Sequence, residues 1–260
     1  MKSKDTKEQK DIIQKPNCVQ YLYDKSIGIE LILCNNSLIS YPLHNHVSVF
    51  TIGLILCGSV LLTIGGNSFI CEKDNPFIIL PYVPHIIEAK TPYSLITLCI
   101  NKNILIKCNK NEIQNSIRNL LTAVSDLNIT EKQTYQLMNC LDLFNDNSYS
   151  SISEPFIDLA KYRLECYPEK KLSIDEMAYS AYMSKYHFIR NFKQIVGLTP
   201  HQFQIQNRIR KAQHMLNNID SITEVALATG FCDQSHFIKQ FEKYVGLTPA
   251  TYKTSCRILA

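Results

Sequence analysis

An internal repeat near the C-terminus constrains this 260-residue chain more than any other feature. Ser184–Pro200 (SKYHFIRNFKQIVGLTP) overlays Asp233–Pro249 (DQSHFIKQFEKYVGLTP) at an offset of 49, with nine of 17 positions identical. Ser173–Ala178 overlays Ser221–Ala226 at an offset of 48, so the second copy carries one extra residue between its first two helices. Such self-similarity marks a duplicated supersecondary unit. Each copy reads as helix, short turn, helix. Phe188, Phe192 and Ile195/Val196 share one helical face, as do Phe237, Phe241 and Tyr244/Val245, and these stripes are core. Ser173 with Glu176 and Ser221 with Glu224 predict capping boxes. Thr199-Pro200 and Thr248-Pro249 each set a capping hydroxyl before a proline at the first helical position. Gly230 occupies the second turn, where a positive φ suits glycine. The first turn, Ala181-Tyr182-Met183, has no such residue.

The spacing leaves Lys185, Tyr186, Ile189, Arg190, Asn191 and Lys193 exposed on the second helix of copy one. On copy two it leaves Gln234, Ser235, His236, Lys239 and Gln240. Arg and Lys suit guanine or phosphate, Asn and Gln suit adenine, and Ser suits phosphate. One such face is an ordinary solvated surface; two of them on repeated turn-helix units point to double-stranded DNA. Charge placement agrees. Residues 1–150 hold 13 Lys/Arg against 13 Asp/Glu, whereas residues 151–260 hold 14 against 10, so the net +4 lies in the C-terminal half.

With Ala226, Gly230-Phe231, Phe237, Phe241 and Gly246-Leu247-Thr248-Pro249 in place, residues 155–255 resemble the DNA-binding domain of the AraC/XylS family of bacterial transcription regulators. Arg208–Leu216 resembles that family's central linker helix. The resemblance implies that both second helices, about 184–196 and 233–245, enter successive major-groove segments. By position, Tyr186, Ile189 and Arg190 would face bases from the first unit, and Ser235, His236 and Lys239 from the second. Ile189 departs from the polar reader often found there; a thymine methyl is the contact open to it.

The N-terminal half reads differently. Short β-branched runs at Gly28–Cys34, Val49–Leu56, Ser59–Ile64, Phe77–Leu80 and Ser94–Cys99 are separated by turn residues, which predicts a sandwich or barrel. Leu31–Cys71 holds no Asp, Glu, Lys or Arg, and Ser48–Gly66 is long enough to span a bilayer. Gly53, Gly58, Gly65 and Gly66 break that run, so consecutive buried strands are the reading, and no membrane is expected. His44, His46 and, after Leu80-Pro-Tyr-Val-Pro84, His85 resemble the cupin-type sensor domain of the same family, in which such histidines line one pocket. On a strand His44 and His46 would share a face. They are read here as effector-binding. Zinc or nickel ligation and a purely structural role stay open; the Glu of metal-binding cupins is missing, so no metal or other cofactor is assigned.

Ten cysteines without a Cys-x-x-Cys motif, behind a charged N-terminus lacking an apolar core, predict a reduced, cytoplasmic protein. The expected class is α+β: a cupin-like β-barrel over 17–105, a helical connector or dimerisation segment over 106–150, and an all-α domain over 151–260. That last domain holds two helix-turn-helix units joined by a linker helix. The expected function is sequence-specific transcription regulation, as an effector-responsive activator rather than an enzyme. Expected partners are promoter DNA, RNA polymerase, a small effector and a second copy of the chain. A metal-dependent cupin enzyme fused to DNA-binding helices and a non-specific architectural DNA binder are the alternatives.

Overall fold

The computed structural model describes residues 18–124, 129–141, 154–171 and 173–259. The charged N-terminal segment and the end of the expected connector, residues 142–150, lie outside them. The chain is α+β, sheet-rich first and helical last.

The strands are β1 (Cys18–Asp24), β2 (Ile29–Ser37), β3 (Tyr41–His44), β4 (Val49–Cys57), β5 (Ser59–Ile64), β6 (Asn67–Glu72), β7 (Pro76–Ile79), β8 (His85–Ala89), β9 (Tyr93–Asn101) and, at the far end of the chain, β10 (Cys256–Leu259). They pair as two sheets, ordered β10-β1-β2-β9-β4-β7 and β3-β8-β5-β6. The run once long enough for a membrane is β4 and β5, and among the described residues no helix is long and apolar enough to cross one. Gly65 and Gly66, at φ 58° and 86°, form the two-residue turn between β5 and β6, a geometry matched to strand twist.

Period-two alternation gives the large sheet two jobs. Ile29, Leu31 and Leu33 of β2, Ile52 and Leu54 of β4, and Ile96, Leu98 and Ile100 of β9 pack on one face in a single apolar cluster. Two helices cover that face: α2 (Lys110–Thr122), preceded by the short α1 (Lys102–Lys107), and α3 (Glu131–Cys140). Ile113, Ile117, Leu120, Leu137 and Met138 are their contribution. The alternate residues, including Glu30, Ile32, Thr51, Thr97 and Cys99, line a cavity on the other face. Both faces are covered, which is why these strands read as nearly continuous apolar runs.

The helical part comprises α4 (Pro155–Cys166), α5 (Ile174–Ser180), α6 (Lys185–Val196), α7 (Pro200–Leu216), α8 (Ile222–Ala228), α9 (Gln234–Val245) and α10 (Pro249–Ser255). Phe188, Phe192 and Phe203 are fully buried in the first unit and Phe237 and Phe241 in the second, as the stripes require. The capping boxes form elsewhere than expected. Ser173 and Ser221 do accept from the amides of Glu176 and Glu224, but reciprocal bonds from the third residue's side chain are found instead in the pairs Asn109/Glu112, Thr130/Gln133 and Thr199/Gln202.

The turns of the two units obey different constraints. Gly230 has φ +87°, and a Cβ there would meet the Glu169 carbonyl oxygen at 2.5 Å, so only glycine fits. Tyr182, its counterpart in the repeat, also takes a left-handed φ of 53°. Its side chain is 92% exposed, so the first turn bears only the local backbone strain, about 1 kcal/mol or somewhat more.

Candidate nucleic-acid interface and interdomain cavity

The repeat places α6 and α9 as the second helix of each unit. Tyr186, Arg190, Lys193, Ser235, His236 and Lys239 are exposed on them. The other expected residues are less free. Lys185 pairs with Asp175 at 3.1 Å, and the Gln234 side-chain oxygen accepts from Thr223 at 2.7 Å. Asn191 is half-buried and its amide reaches the Met183 sulfur at 3.7 Å. Ile189 and Gln240 are half-buried. His187 and Gln194 of α6 are exposed as well, at positions flanking the apolar stripe that carry no signal of their own in the sequence.

The two units do not stand alone. Asn45, fully buried in the loop after β3, donates its side-chain amide to the Val196 carbonyl at the end of α6, 3.3 Å away. The buried Tyr21 hydroxyl of β1 donates to the Val245 carbonyl at the end of α9, at 3.1 Å. Val196 and Val245 are equivalent positions of the repeat. The sheet part therefore holds each unit at the same place, where helix carbonyls lack an intrahelical partner. The glycines that follow are pressed against it too: a Cβ on Gly197 would meet Pro84 Cγ at 1.8 Å, and one on Gly246 would meet Ile39 Cγ2 at 2.9 Å. After α10 the chain returns as β10 and pairs in parallel with β1, Tyr21 opposite Cys256 through Asp24 opposite Leu259.

Between these two grips lies a cavity of about 730 Å³. Its walls come from both sheets and from α7, α9 and α10. Gln206, Arg210, Gln213 and His214 of α7 line it. Gln206 exchanges hydrogen bonds with Asn45, accepting from its backbone N–H at 3.2 Å and donating to its side-chain oxygen at 2.9 Å. Arg210 donates to the Asn45 carbonyl and, at 3.0 Å, to the Asn207 side-chain oxygen. Among the described residues no carboxylate lies within ion-pair range of Arg210. Burial pulls its pKa down to about 10, opposed by the Glu165 charge, so it stays a cation at neutral pH. Sequence reading put Arg210 in a linker helix and assigned it no role; nothing local distinguishes it from Arg208, which caps the Pro168 and Gly230 carbonyls instead.

His44, His46 and His85 meet at one end of the cavity, although not as two residues of one strand. β3 ends at His44, and His46 reaches the cluster from the following loop. Ring centroids are 4.1 Å apart for His44–His85, 5.1 Å for His46–His85 and 5.2 Å for His44–His46. Burial, then mutual repulsion, pushes His44 to about 3 and His46 well below its usual range. Burial, with a smaller push from the Arg210 charge, brings His85 to about 4, partly offset by its bond to the Val83 carbonyl.

Glu30, on the cavity wall, has its carboxyl raised to about 7 by burial. An ordinary glutamate titrates near 4.3 in an unfolded chain. Between about pH 4.5 and 7 the unfolded chain therefore releases a proton that the folded protein keeps, and stability falls as pH rises through that window. Thermal melts should show Glu30→Gln more stable than the parent at pH 8 and equal to it at pH 4. Parallel profiles across that range would remove Glu30 as the cause.

A ligand-sized compartment bound to two helix-turn-helix units is the layout of a DNA-binding transcription regulator. A helix-turn-helix domain family matches residues 177–255. The HTH-type transcriptional regulator MtrA of Neisseria gonorrhoeae is 43% identical over 65 residues, 25% of this chain and 22% of that protein. The HTH-type transcriptional regulator YbfI of Bacillus subtilis is 27% identical over 240 residues, 82% of this chain and 86% of the relative. ToxT from Vibrio cholerae has the same overall fold, with a TM-score of 0.54 at 9% identity, covering 92% of this chain and 96% of that one. The chain thus carries a helix-turn-helix domain over residues 177–255 and is similar along most of its length to an HTH-type transcriptional regulator.

Proposed function

We propose that the cavity receives a small organic anion and that its occupancy sets how the two units present α6 and α9 to DNA. The observation that carries this reading is the double grip. The sheet part holds equivalent points of both units, through Asn45 and Tyr21, and the cavity lies between them. A ligand touching α7 and the sheets together bears on both grips at once, and it shifts the equilibrium by its differential affinity for the arrangements. Arg210, half-buried on the cavity wall with no carboxylate in ion-pair range among the described residues, selects a negative head group. Ile32, Ile79, Leu95 and Ile209 on the walls suit an apolar body. A ToxT structure is described with an unsaturated fatty acid bound, which fits the same ligand chemistry. His44, His46 and His85 form the polar end of the compartment.

On this reading the protein works in the cytoplasm as an activator that contacts RNA polymerase, acts as a homodimer and turns over no substrate. The domain limits at 17–105, 106–150 and 151–260 serve as its working division, with the important addition that β10 belongs to the sheet. Oleate is the probe. Mobility-shift titration of operator DNA isolated by footprinting should show an affinity that changes with oleate. Unchanged affinity at saturating oleate, with oleate shown to bind, would end the coupling.

Base reading makes a separate prediction. Arg190 is exposed and free on the leading half of α6, so Arg190→Ala should lose about 1–3 kcal/mol at the cognate site and relax preference at one or two base pairs. Lys193→Ala should weaken cognate and random DNA alike, the mark of a phosphate contact. Equal losses on both DNAs for Arg190→Ala would assign it to the backbone instead.

A further inference from the structure

We propose that His44, His46 and His85 form a binding site for a divalent transition-metal ion of zinc-like chemistry. This stands apart from the organic effector and needs none. Their candidate ligand atoms all lie within 4.8 Å of one another. A tetrahedral ion with 2.0–2.1 Å bonds to nitrogen separates its ligands by about 3.4 Å, so small ring rotations close the set.

Three features show a preformed donor set rather than a chance meeting of rings. First, the Nδ1 atoms of His44 and His85 lie 2.7 and 3.0 Å from the carbonyls of Pro42 and Val83. A carbonyl only accepts, so each Nδ1 carries the proton and each Nε2 is left with its lone pair. Backbone carbonyls orient metal-ligating imidazoles in this way. Secondly, the His85 ring is 1% exposed and its Nε2 has no hydrogen-bond partner. A buried acceptor without a partner is unfavourable by roughly 1–3 kcal/mol unless something occupies it, and an ion does so. Thirdly, the backbone at all three is held. His44 and His85 are register partners of β3 and β8, Pro84 precedes His85, and the His46 carbonyl accepts from the Tyr82 N–H at 2.7 Å.

Three neutral imidazoles suit zinc, cobalt, nickel or ferrous iron rather than magnesium or calcium, which require oxygen ligands. All three histidines line the cavity, so a fourth ligand would come from that space. A dication near Arg210 calls for an anion there, and hydroxide, chloride or a carboxylate fills that place.

The test uses the full chain after dialysis against a chelator. Titration with cobalt(II), followed by its visible absorption, should saturate at one equivalent with the bands of a low-coordinate nitrogen site and no thiolate charge-transfer band. Zinc should compete. His46→Gln and His85→Gln should each weaken cobalt binding more than tenfold, while replacement of the exposed Cys57, Cys166 and Cys232 by serine should leave it unchanged. Arg210→Met should retain the metal, which separates this site from failure of the effector reading. If a histidine variant does not fold, nitrogen-15 spectra of the parent decide: zinc must shift the Nε2 resonances of these imidazoles. The proposal is overturned by non-saturable binding, by undiminished binding in both histidine variants, by loss of binding in the serine variant, or by unshifted imidazoles.

Discussion

Arg210→Met is expected to weaken binding of an anionic effector while leaving the protein at least as stable as its parent. Arg210 is a half-buried cation on the cavity wall whose bonds go to two uncharged oxygens, with Glu165 acting on it only from beyond ion-pair range. Removing an imperfectly compensated buried charge in favour of an apolar chain of similar length is often neutral or stabilising. An anionic ligand, by contrast, loses its charged partner. Hydrogen bonds to charged groups contribute about 1.5–3 kcal/mol, so oleate affinity should fall roughly 10- to 150-fold at about 1.4 kcal/mol per decade. Oleyl alcohol, which has the same body and no charge, should bind parent and variant alike. Thermal melts and fluorescence titration on the same preparations give both numbers. If oleate binds the variant as tightly as the parent, Arg210 is not the anion receptor; a variant that melts lower shows that its neutral hydrogen bonds outweigh its desolvation.

Gly197→Ala should disrupt the junction between the sheets and the first helix-turn-helix unit. The left-handed backbone, at φ +77°, accounts for about 1–2 kcal/mol with any side chain. The new methyl must also displace the Pro84 ring, which a Cβ would approach to 1.8 Å. Pro84 adjoins His85 and Gly197 adjoins Val196, so the wedge acts on the cavity wall and on the Asn45 grip together. Gly66→Ala is the control. It has φ +86° but nothing within 4 Å of its Cβ, so it carries the backbone term alone. Gly197→Ala should melt several degrees below Gly66→Ala, at about 2–4 °C per kcal/mol for a chain of this size. It should also bind oleate more weakly and be cleaved faster by protease between the two parts. Matching melts and matching oleate affinities for the two variants would mean that Pro84 yields freely and the junction carries no coupling.

The helical half was legible because its information is local. Apolar spacing, capping serines and threonines, and the Gly-Leu-Thr-Pro repeats each bias a few neighbouring residues, and duplication displayed every bias twice. Turn geometry followed the same logic up to Tyr182. There the chain tolerates a left-handed tyrosine because its side chain projects largely into solvent, with only the edge of the Phe156 ring beside it, whereas Gly230 faces the Glu169 carbonyl. That difference is set by a contact 61 residues away in sequence from Gly230 and could not be read near either turn.

The strands β2, β4 and β9 showed in the sequence because both their faces are covered and their apolar runs are long, and β5 and β7 showed as short β-branched runs between turn residues. β6 did not, since it is exposed along most of its length, nor did β10, whose Cys-Arg-Ile-Leu becomes a strand only by pairing with β1. His44, His46 and His85 were singled out from the sequence as a group, yet their convergence depends on the β3–β8 register and a loop, not on strand alternation. Arg210, Asn45 and Tyr21 carried no local sign at all. Amino-acid order determined the two helix-turn-helix units and the alternation of each strand, because those follow from interactions within a few residues. Only tertiary packing decided that the sheets grip both units at equivalent carbonyls and enclose a charged cavity between them, because those contacts join residues more than 150 positions apart.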